Sequence, residues 1–173
     1  MQHLRSAIFS GALVVLGVLP LGTSPSYADT KVMAGGDCHA SGDGMFRTGG
    51  GRLGYNASTG SLIVLCYPVR DTAAKPTKVE VVVVDNSSAA TGVRDISCFI
   101  RFANRAGTGF SVGATSKTVG VVPAGTVLNL AIPSTNFVDG TMSIVCTLPR
   151  RGIGDADSWI ASIKWIEPNE PGT

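Results

Sequence analysis

Few residues in this chain have the types and spacing that catalysis requires. A Gly-x-Ser-x-Gly motif at Gly109–Gly113 places Ser111 where a hydrolase nucleophile could stand. That motif works between a strand and a helix, with an acid and then a histidine later in the chain. His39 precedes Ser111, and no helical pattern follows the motif. Two glycines that flank a strand therefore explain the match better than a nucleophile does.

His39 is the one histidine beyond the N-terminal leader, and Asp37 and Asp43 lie close to it in sequence. It could act as the general base of a small hydrolase or as a metal ligand. A single histidine in a glycine-rich loop is more often solvated and idle. Asp43-Gly44 and Asp155-Ala156-Asp157 offer oxygen ligands for calcium, but neither extends into a full calcium-binding loop. The sequence predicts no metal and no cofactor, and weak calcium binding stays open.

Aromatic and basic residues are the candidates for a binding surface. Tyr55 and Tyr67 could form a surface patch, and Arg150-Arg151 opens a polar loop that could serve as the rigid loop of an inhibitor. Trp159 and Trp165 fall on one face of the last predicted strand, together with Ala161 and Ile163. Two tryptophans on one face could stack on sugar rings, but a strand facing the core has the same spacing. We interpret both as core residues.

The four cysteines predict two disulfides. Their number is even, and the paired spacing of structural zinc sites is absent. Two stretches of the chain, 60–68 and 140–149, share a turn glycine, an alternating strand, a cysteine and a proline. This similarity suggests equivalent partners upstream, so that Cys38 would pair with Cys66 and Cys98 with Cys146. Four cysteines allow two other connectivities, which stay open.

The first 28 residues have the pattern of a signal peptide. Arg5 precedes an uncharged apolar run, and Ser26-Tyr27-Ala28 presents small residues where a signal peptidase cleaves. An uncleaved membrane anchor is the alternative, but glycines and a proline interrupt a run that is short for a ~30 Å span. We expect cleavage before Asp29, and a secreted protein, extracellular or periplasmic, that does not contact the membrane afterwards.

The expected mature chain is nearly neutral. Without Arg5 it carries 13 basic residues against 12 acidic ones. Nucleic-acid binding requires a basic surface, and no run of basic residues exceeds Arg150-Arg151. The expected partner is therefore an extracellular protein or a glycan. The range Asp29–Thr173 is long enough for one domain and short for two.

The chemistry-bearing residues must be positioned by strands. Lys78–Asp85 contains five valines, whose branched side chains favour a strand, and the run Val81–Val84 predicts a central strand covered on both faces. Other short apolar runs alternate with turn residues, and no window predicts a long amphipathic helix. The predicted fold is an all-β antiparallel sandwich of about seven to nine strands with two disulfides, a jelly roll or closed barrel being the alternative.

Three segments are predicted to lie outside regular strands. The glycine-rich stretch from Asp29 to Gly54 has a loop composition, although Cys38 should tie it to the domain. Pro123-Ala124-Gly125 has the composition of a tight turn. The C-terminal tail, Glu167–Thr173, carries two prolines and should be frayed.

The signal peptide, the Cys-Tyr-Pro of Cys66–Pro68 and the later cysteine Cys98 give the chain a resemblance to small exported bacterial proteins with a two-disulfide β domain. The resemblance implies a secreted β-sandwich and no particular activity. We therefore expect a non-enzymatic binding or structural module at or outside the cell surface. An inhibitor of a secreted hydrolase, with Arg150–Ser158 as its loop, and a small hydrolase that uses His39 are the two alternatives.

Overall fold

The computed structural model describes residues 28–40, 42–57, 60–71, 74–87, 95–135 and 140–168. These residues form strands and one short 3-10 helix, Gly35–Asp37, and none of them forms a helix long and apolar enough to cross a membrane. The predicted signal peptide lies outside them except for Ala28, so its cleavage stays a prediction. The strands are β1 (Asp29–Ala34), β2 (His39–Ala40), β3 (Met45–Arg47), β4 (Leu53–Tyr55), β5 (Leu62–Cys66), β6 (Lys78–Asp85), β7 (Ser97–Ala103), β8 (Phe110–Val112), β9 (Ser116–Lys117), β10 (Val122–Asn129), β11 (Thr141–Leu148) and β12 (Ser158–Glu167).

The strands form two antiparallel sheets. Sheet A has the order β10-β6-β12-β4-β3, with β1 also paired to β12. Sheet B has the order β2-β5-β11-β7-β8, with β9 also paired to β7. One cluster of buried apolar residues, drawn from both sheets, forms the core. The predicted sandwich is confirmed. The strand count exceeds the prediction because several edge strands are only two or three residues long.

The valine-rich strand β6 is central in sheet A, as its sequence predicted. It pairs with β10 on one side and with β12 on the other. Val79, Val81 and Val83 are buried in the core, whereas Glu80 and Val82 on the outer face are half-buried. A two-layer sandwich leaves the outer face of each sheet towards solvent, so the expected cover is complete on the inner face and partial on the outer face, where Val84 is 8% exposed.

The glycine-rich N-terminal stretch is not a loop, which corrects the expectation. It contains β1, β2 and β3, and the longest of them, β1, is paired along its full length with β12. These segments have weak strand patterns of their own, and long-range pairing with stronger strands overrides their composition.

Pro123-Ala124-Gly125 is not a turn between strands but an irregularity inside β10. Val122 pairs with Asp85 and Thr126 pairs with Val83, so extra residues of β10 oppose β6 between these two points. Gly125 has φ +87°, which glycine adopts without a steric penalty.

A bulge in β12 separates the two tryptophans, which corrects their predicted common face. Ile160 pairs with Val83 and Ser162 pairs with Val82, so Ala161 is an extra residue in the ladder. One extra residue reverses the alternation of all side chains that follow it. Trp165 is therefore buried in the core as predicted, whereas Trp159 is half-buried on the outer face beneath the guanidinium of Arg52, which lies 5.4 Å from the ring centroid.

The C-terminal end of β12 is ordered further than expected. Glu167 pairs with Asp29 of β1 and is only 1% exposed, so it does not belong to a frayed tail. Its side chain accepts hydrogen bonds that the sequence pattern could not reveal. The rest of the predicted tail, beyond Pro168, lies outside the described residues.

The disulfides join Cys38 to Cys66 and Cys98 to Cys146, the connectivity that the repeated pattern suggested. Cys98 and Cys146 lie directly opposite each other in the ladder between β7 and β11. Cys38 precedes β2, and Cys66 ends β5, which pairs with β2. Both bridges are buried, and they cross-link neighbouring strands of sheet B at its middle and at its edge.

Candidate functional site

A groove of about 600 Å³ opens at the edge of the sandwich, beside β1 and the segment that follows β5. Its length along β1 covers three consecutive residues, and β1 has no strand partner other than β12 among the described residues. The groove therefore follows the free edge of sheet A. Its lining residues are Lys31, Val32, Met33, Asp37, Tyr67, Val69, Asp71 and Trp165.

The turn from sheet A to sheet B brings the two walls of the groove together. After β1 the chain turns at Gly35, where a Cβ atom would lie 2.2 Å from the carbonyl oxygen of Ile160, so only glycine fits. The short helix that follows carries Asp37 into the groove. The disulfide between Cys38 and Cys66 then fixes this segment against the end of β5, immediately before Tyr67.

The walls of the groove expose apolar side chains. Tyr67 is 46% exposed, and Val32 and Val69 are 66% and 76% exposed. Trp165 contributes to the groove although only 4% of it is exposed. An aromatic ring flanked by aliphatic side chains offers a surface to the apolar face of a ligand, with a hydroxyl at the ring edge for hydrogen bonding.

A buried carboxylate stands beneath the groove. Glu167 accepts a hydrogen bond from the indole Nε1 of Trp165 at 3.2 Å and another from the backbone N–H of Asp71 at 3.1 Å. Its Oε2 atom also lies 3.4 Å from the ammonium of Lys31. Glu167 thus links three residues that line the groove: Trp165, Asp71 and Lys31.

Lys31 is held by several carboxylates. Its ammonium contacts Asp71 closely and lies 3.7 Å from Asp29. The hydrogen bond with Asp71, together with the charges of Glu167 and Asp71, raises the pKa of Lys31 above its ordinary value, so the ammonium is charged at neutral pH. Burial lowers the pKa of Arg70, which the charge of Glu167 partly opposes. Carboxylates outnumber cations around this groove.

Of the predicted binding residues, the structure brings Tyr67 into the groove and leaves the others elsewhere. Tyr55 is 5% exposed and belongs to the core, because β4 lies between β3 and β12 within sheet A. The expected exposed ring at Tyr55 is therefore corrected. Arg150 and Arg151 are exposed on a separate loop and do not line the groove.

That loop is held at its base and presents an apolar tip. The backbone N–H of Arg151 donates to the carbonyl of Ala57 at 2.8 Å, and the Arg151 guanidinium lies 3.4 Å from the carboxylate of Asp157. A turn closes between Gly152 and Asp155, whose N–H donates to the Gly152 carbonyl at 3.1 Å. Ile153, within this turn, is 98% exposed.

The structure does not bring the predicted catalytic candidates together. His39 is in β2 and Ser111 is in β8, and these strands stand at opposite ends of sheet B. Four strand spacings separate them, which is roughly 19 Å. The ring of His39 instead lies 5.9 Å from that of Tyr67, centroid to centroid. In the part of the chain that the structure describes, no three His, Cys, Asp or Glu side chains are grouped to hold a metal ion.

Sequence reasoning missed most of the groove. Lys31 and Glu167 are far apart in the sequence, and no local pattern relates them. A weak signal existed at Tyr67, which follows the outward positions Ile63 and Leu65 of β5 in strict alternation. The contacts of Asp71 depend on the sheet edge, and the position of Asp37 in the groove depends on the segment that the disulfide fixes.

The chain has distant structural likenesses among known proteins. No protein-family model matches the chain, and no curated protein matches it. Similar solved structures include a family two carbohydrate esterase from Cellvibrio japonicus, with TM-score 0.43, 8% identity and coverage of 83% of this chain and 36% of that one. Another is the carbohydrate-binding module CBM36 in complex with calcium and xylotriose, with TM-score 0.46, 13% identity and coverage of 78% and 98%.

A third structure concerns the promiscuous specificity of carbohydrate-binding modules of the β-sandwich superfamily, with TM-score 0.47, 9% identity and coverage of 83% and 58%. The chain spans about a third of the length of the esterase structure and somewhat more than half of this third one. Because the identities are 8–13% and every TM-score is below 0.5, these likenesses carry no argument about this chain.

Proposed function

We propose that this protein is a secreted, non-enzymatic binding module and that the edge groove holds a neutral glycan. The observation that carries the proposal is the exposed ring of Tyr67 in a groove where Lys31 and Asp71 are held by each other and by Glu167. A pyranose ring has an apolar C–H face that can lie against an aromatic ring and hydroxyl groups at its rim. Asp37, Asp71 and Lys31 supply acceptors and donors at that rim.

The charges of the groove favour a neutral ligand. Lys31 is balanced by Asp71, Asp29 and Glu167, and Asp37 adds a further carboxylate to the lining. A polyanionic glycan would meet this excess of negative charge and would be repelled. The two disulfides, which suit an oxidising compartment, support an extracellular setting for such a ligand.

The test is binding of soluble neutral oligosaccharides to the oxidised protein by isothermal titration calorimetry. The panel contains gluco-, xylo-, manno- and N-acetylglucosamine-based oligomers, with a polyuronate as the charged comparison. We expect at least one neutral oligomer to bind, and Tyr67→Ala to weaken that binding about tenfold, which corresponds to about 1.4 kcal/mol. Tyr67→Phe, which keeps the ring, should retain most of the affinity.

Phe110→Ala is the matched control. Phe110 is also an exposed aromatic residue of sheet B, but it stands in β8 at the opposite end of that sheet. Its replacement should leave binding unchanged. Absence of binding by every neutral oligomer, or binding that survives Tyr67→Ala, would overturn the glycan groove.

A second candidate function is inhibition of a secreted hydrolase through the loop that presents Ile153. Its support is a fully exposed isoleucine on a turn whose base is fixed by Arg151, Asp157 and Ala57. An exposed side chain on a preorganised loop can enter a pocket of a partner protein at a low entropy cost. Titration of the protein into assays of secreted proteases and glycosidases tests it, with Ile153→Asp expected to abolish any inhibition and to leave glycan binding intact.

A further inference from the structure

Tyr67 belongs to a row of outward-facing side chains that extends beyond the edge groove. Along β5 and the residues after it, Ile63, Leu65, Tyr67 and Val69 alternate with residues of the core. Ile63 is 60% exposed and Val69 is 76% exposed. Ile63 and Leu65 lie about 6.6–7 Å apart, because both are in β5 and each strand residue rises by 3.3–3.4 Å. Tyr67 and Val69 continue the alternation of exposed and buried residues beyond the end of β5, so the row forms an apolar stripe that begins on the outer face of sheet B.

A second hollow lies on this stripe, on the other side of Tyr67. It has a volume of about 290 Å³ and is lined by His39, Ala40, Ile63 and Leu65. His39 pairs with Leu65 across the ladder between β2 and β5, so their side chains stand side by side. The centroid of the His39 ring is 5.9 Å from that of Tyr67. Tyr67 thus adjoins both hollows.

We infer that the edge groove and this second hollow form one cleft, with Tyr67 between them, and that the cleft takes a linear neutral glycan over several sugar units. This inference depends on the proposed function of the edge groove. The two parts contribute differently. The edge groove holds the fixed ionic groups around Lys31, which can hydrogen-bond hydroxyls. The second hollow is lined by aliphatic side chains and one imidazole, so it adds contact with the apolar faces of further units.

The cleft is held in line by the disulfide at its centre. Cys38 stands between Asp37 of the edge groove and His39 of the second hollow, and its partner Cys66 stands immediately before Tyr67. One covalent bond therefore sets both hollows relative to the ring between them. A ligand that bridges the two hollows meets a preorganised surface, which lowers the entropy cost of binding.

The experiment is a chain-length series on the full mature protein, with gluco-, xylo- and manno-oligosaccharides of two, four and six units titrated by calorimetry. We expect affinity to rise with length. Ile63→Arg places a long charged side chain in the second hollow and should lower the affinity for the six-unit oligomer about tenfold, the effect of losing one apolar contact surface, with little change for the two-unit oligomer. Circular dichroism checks that the variant is folded, which the exposure of Ile63 favours.

Val112→Arg is the matched control, because Val112 is an exposed aliphatic residue of β8 at the far end of sheet B. It should leave the whole length series unchanged. Equal affinity for two-unit and six-unit oligomers, or a length dependence that survives Ile63→Arg, would overturn the two-part cleft while the glycan groove stands. Absence of any binding that depends on Tyr67 would overturn both, and the Tyr67→Ala titration separates these two failures.

Discussion

Two carboxylates are buried at opposite ends of sheet A, and their surroundings differ. Asp85 ends β6 and Glu167 ends β12, and because these strands are antiparallel, the two residues lie roughly 25 Å apart. Asp85 accepts from the backbone N–H groups of Ser87 and Ile96, each at 2.9 Å, and from the hydroxyls of Ser87, Ser158 and Thr118.

All of these donors to Asp85 are neutral, and the residues that supply them are buried. Ser87 follows β6 and Ser158 begins β12, both in sheet A. Ile96 precedes β7 and Thr118 follows β9, both in sheet B, so Asp85 joins the two sheets. Glu167 instead contacts the charged Lys31 and stands beneath an open groove. The comparison shows that a buried carboxylate by itself does not mark a site. An adjacent open groove and an ion-paired lysine distinguish the end of the molecule at which we propose that a ligand binds.

The largest expected effect on stability is at Asp85. Asp85→Ala removes the acceptor of five buried donors and should reduce the free energy of unfolding by about 3–5 kcal/mol. Asp85→Asn keeps one acceptor oxygen and should cost less. Urea unfolding at neutral pH, in the oxidised state, measures both. A loss below about 1 kcal/mol for Asp85→Ala would contradict a stabilising role of this network.

Removing the two disulfides one at a time should separate their effect on stability from their effect on the geometry of the groove. The bridged cysteines are 28 and 48 residues apart, and on the chain-entropy model removal of either bridge should cost about 3.5–4 kcal/mol. The double variant Cys98→Ala/Cys146→Ala removes a link between β7 and β11, which seven residue pairs of their ladder already hold together. The groove should survive in it.

The double variant Cys38→Ala/Cys66→Ala should lose the proposed oligosaccharide binding in addition to stability. Only two residue pairs hold β2 to β5, so Asp37, His39 and Tyr67 would lose their alignment. Calorimetric titration at a temperature where both double variants are folded makes the comparison. Equal loss of binding in the two variants would contradict a specific role of the Cys38–Cys66 bridge.

A smaller effect on stability is expected at Glu167, beneath the edge groove. Glu167→Gln keeps the shape of the side chain and an acceptor for the indole of Trp165, but removes the charge beside Lys31. We expect a loss of about 1–2 kcal/mol in unfolding free energy, and the pKa of Lys31 should fall towards its ordinary value. Urea unfolding measures the loss. A loss as large as that of Asp85→Ala would remove the distinction between the two ends.

The smallest effect concerns Glu80, a half-buried residue on the outer face of β6 between these ends. The hydrogen bond from Lys78 lowers the pKa of Glu80 below its ordinary value of 4.5. Its ion pairs therefore stabilise the fold above pH 4.5, and this contribution is lost as the pH falls through the lowered pKa. In Glu80→Gln, the melting temperature should fall less steeply between pH 6 and pH 2.5 than it does in the unchanged protein. Identical pH profiles would contradict this.

Much of the fold could be predicted because it depends on local pattern. Alternating apolar residues and valine-rich runs determine strands, and these predicted β6 with its observed bounds and the strands β5 and β11 within the stretches 60–68 and 140–149. The paired strand-cysteine-proline pattern also suggested the disulfide connectivity. Period-two alternation failed at β12 only because a bulge at Ala161 reversed it, and a bulge depends on the partner strand rather than on the strand's own sequence.

The sequence by itself determined a β-sandwich with two disulfides, because burial of alternating side chains and pairing of an even number of cysteines follow from residue types alone. Only the tertiary structure decided which polar residues are buried and which aromatic rings are exposed. Tyr55 and Tyr67 have the same chemistry, and sheet position alone buries the first and exposes the second. Lys31, Asp71 and Glu167 meet because β1 adds to the edge of β12, a contact between distant parts of the chain that no local pattern encodes.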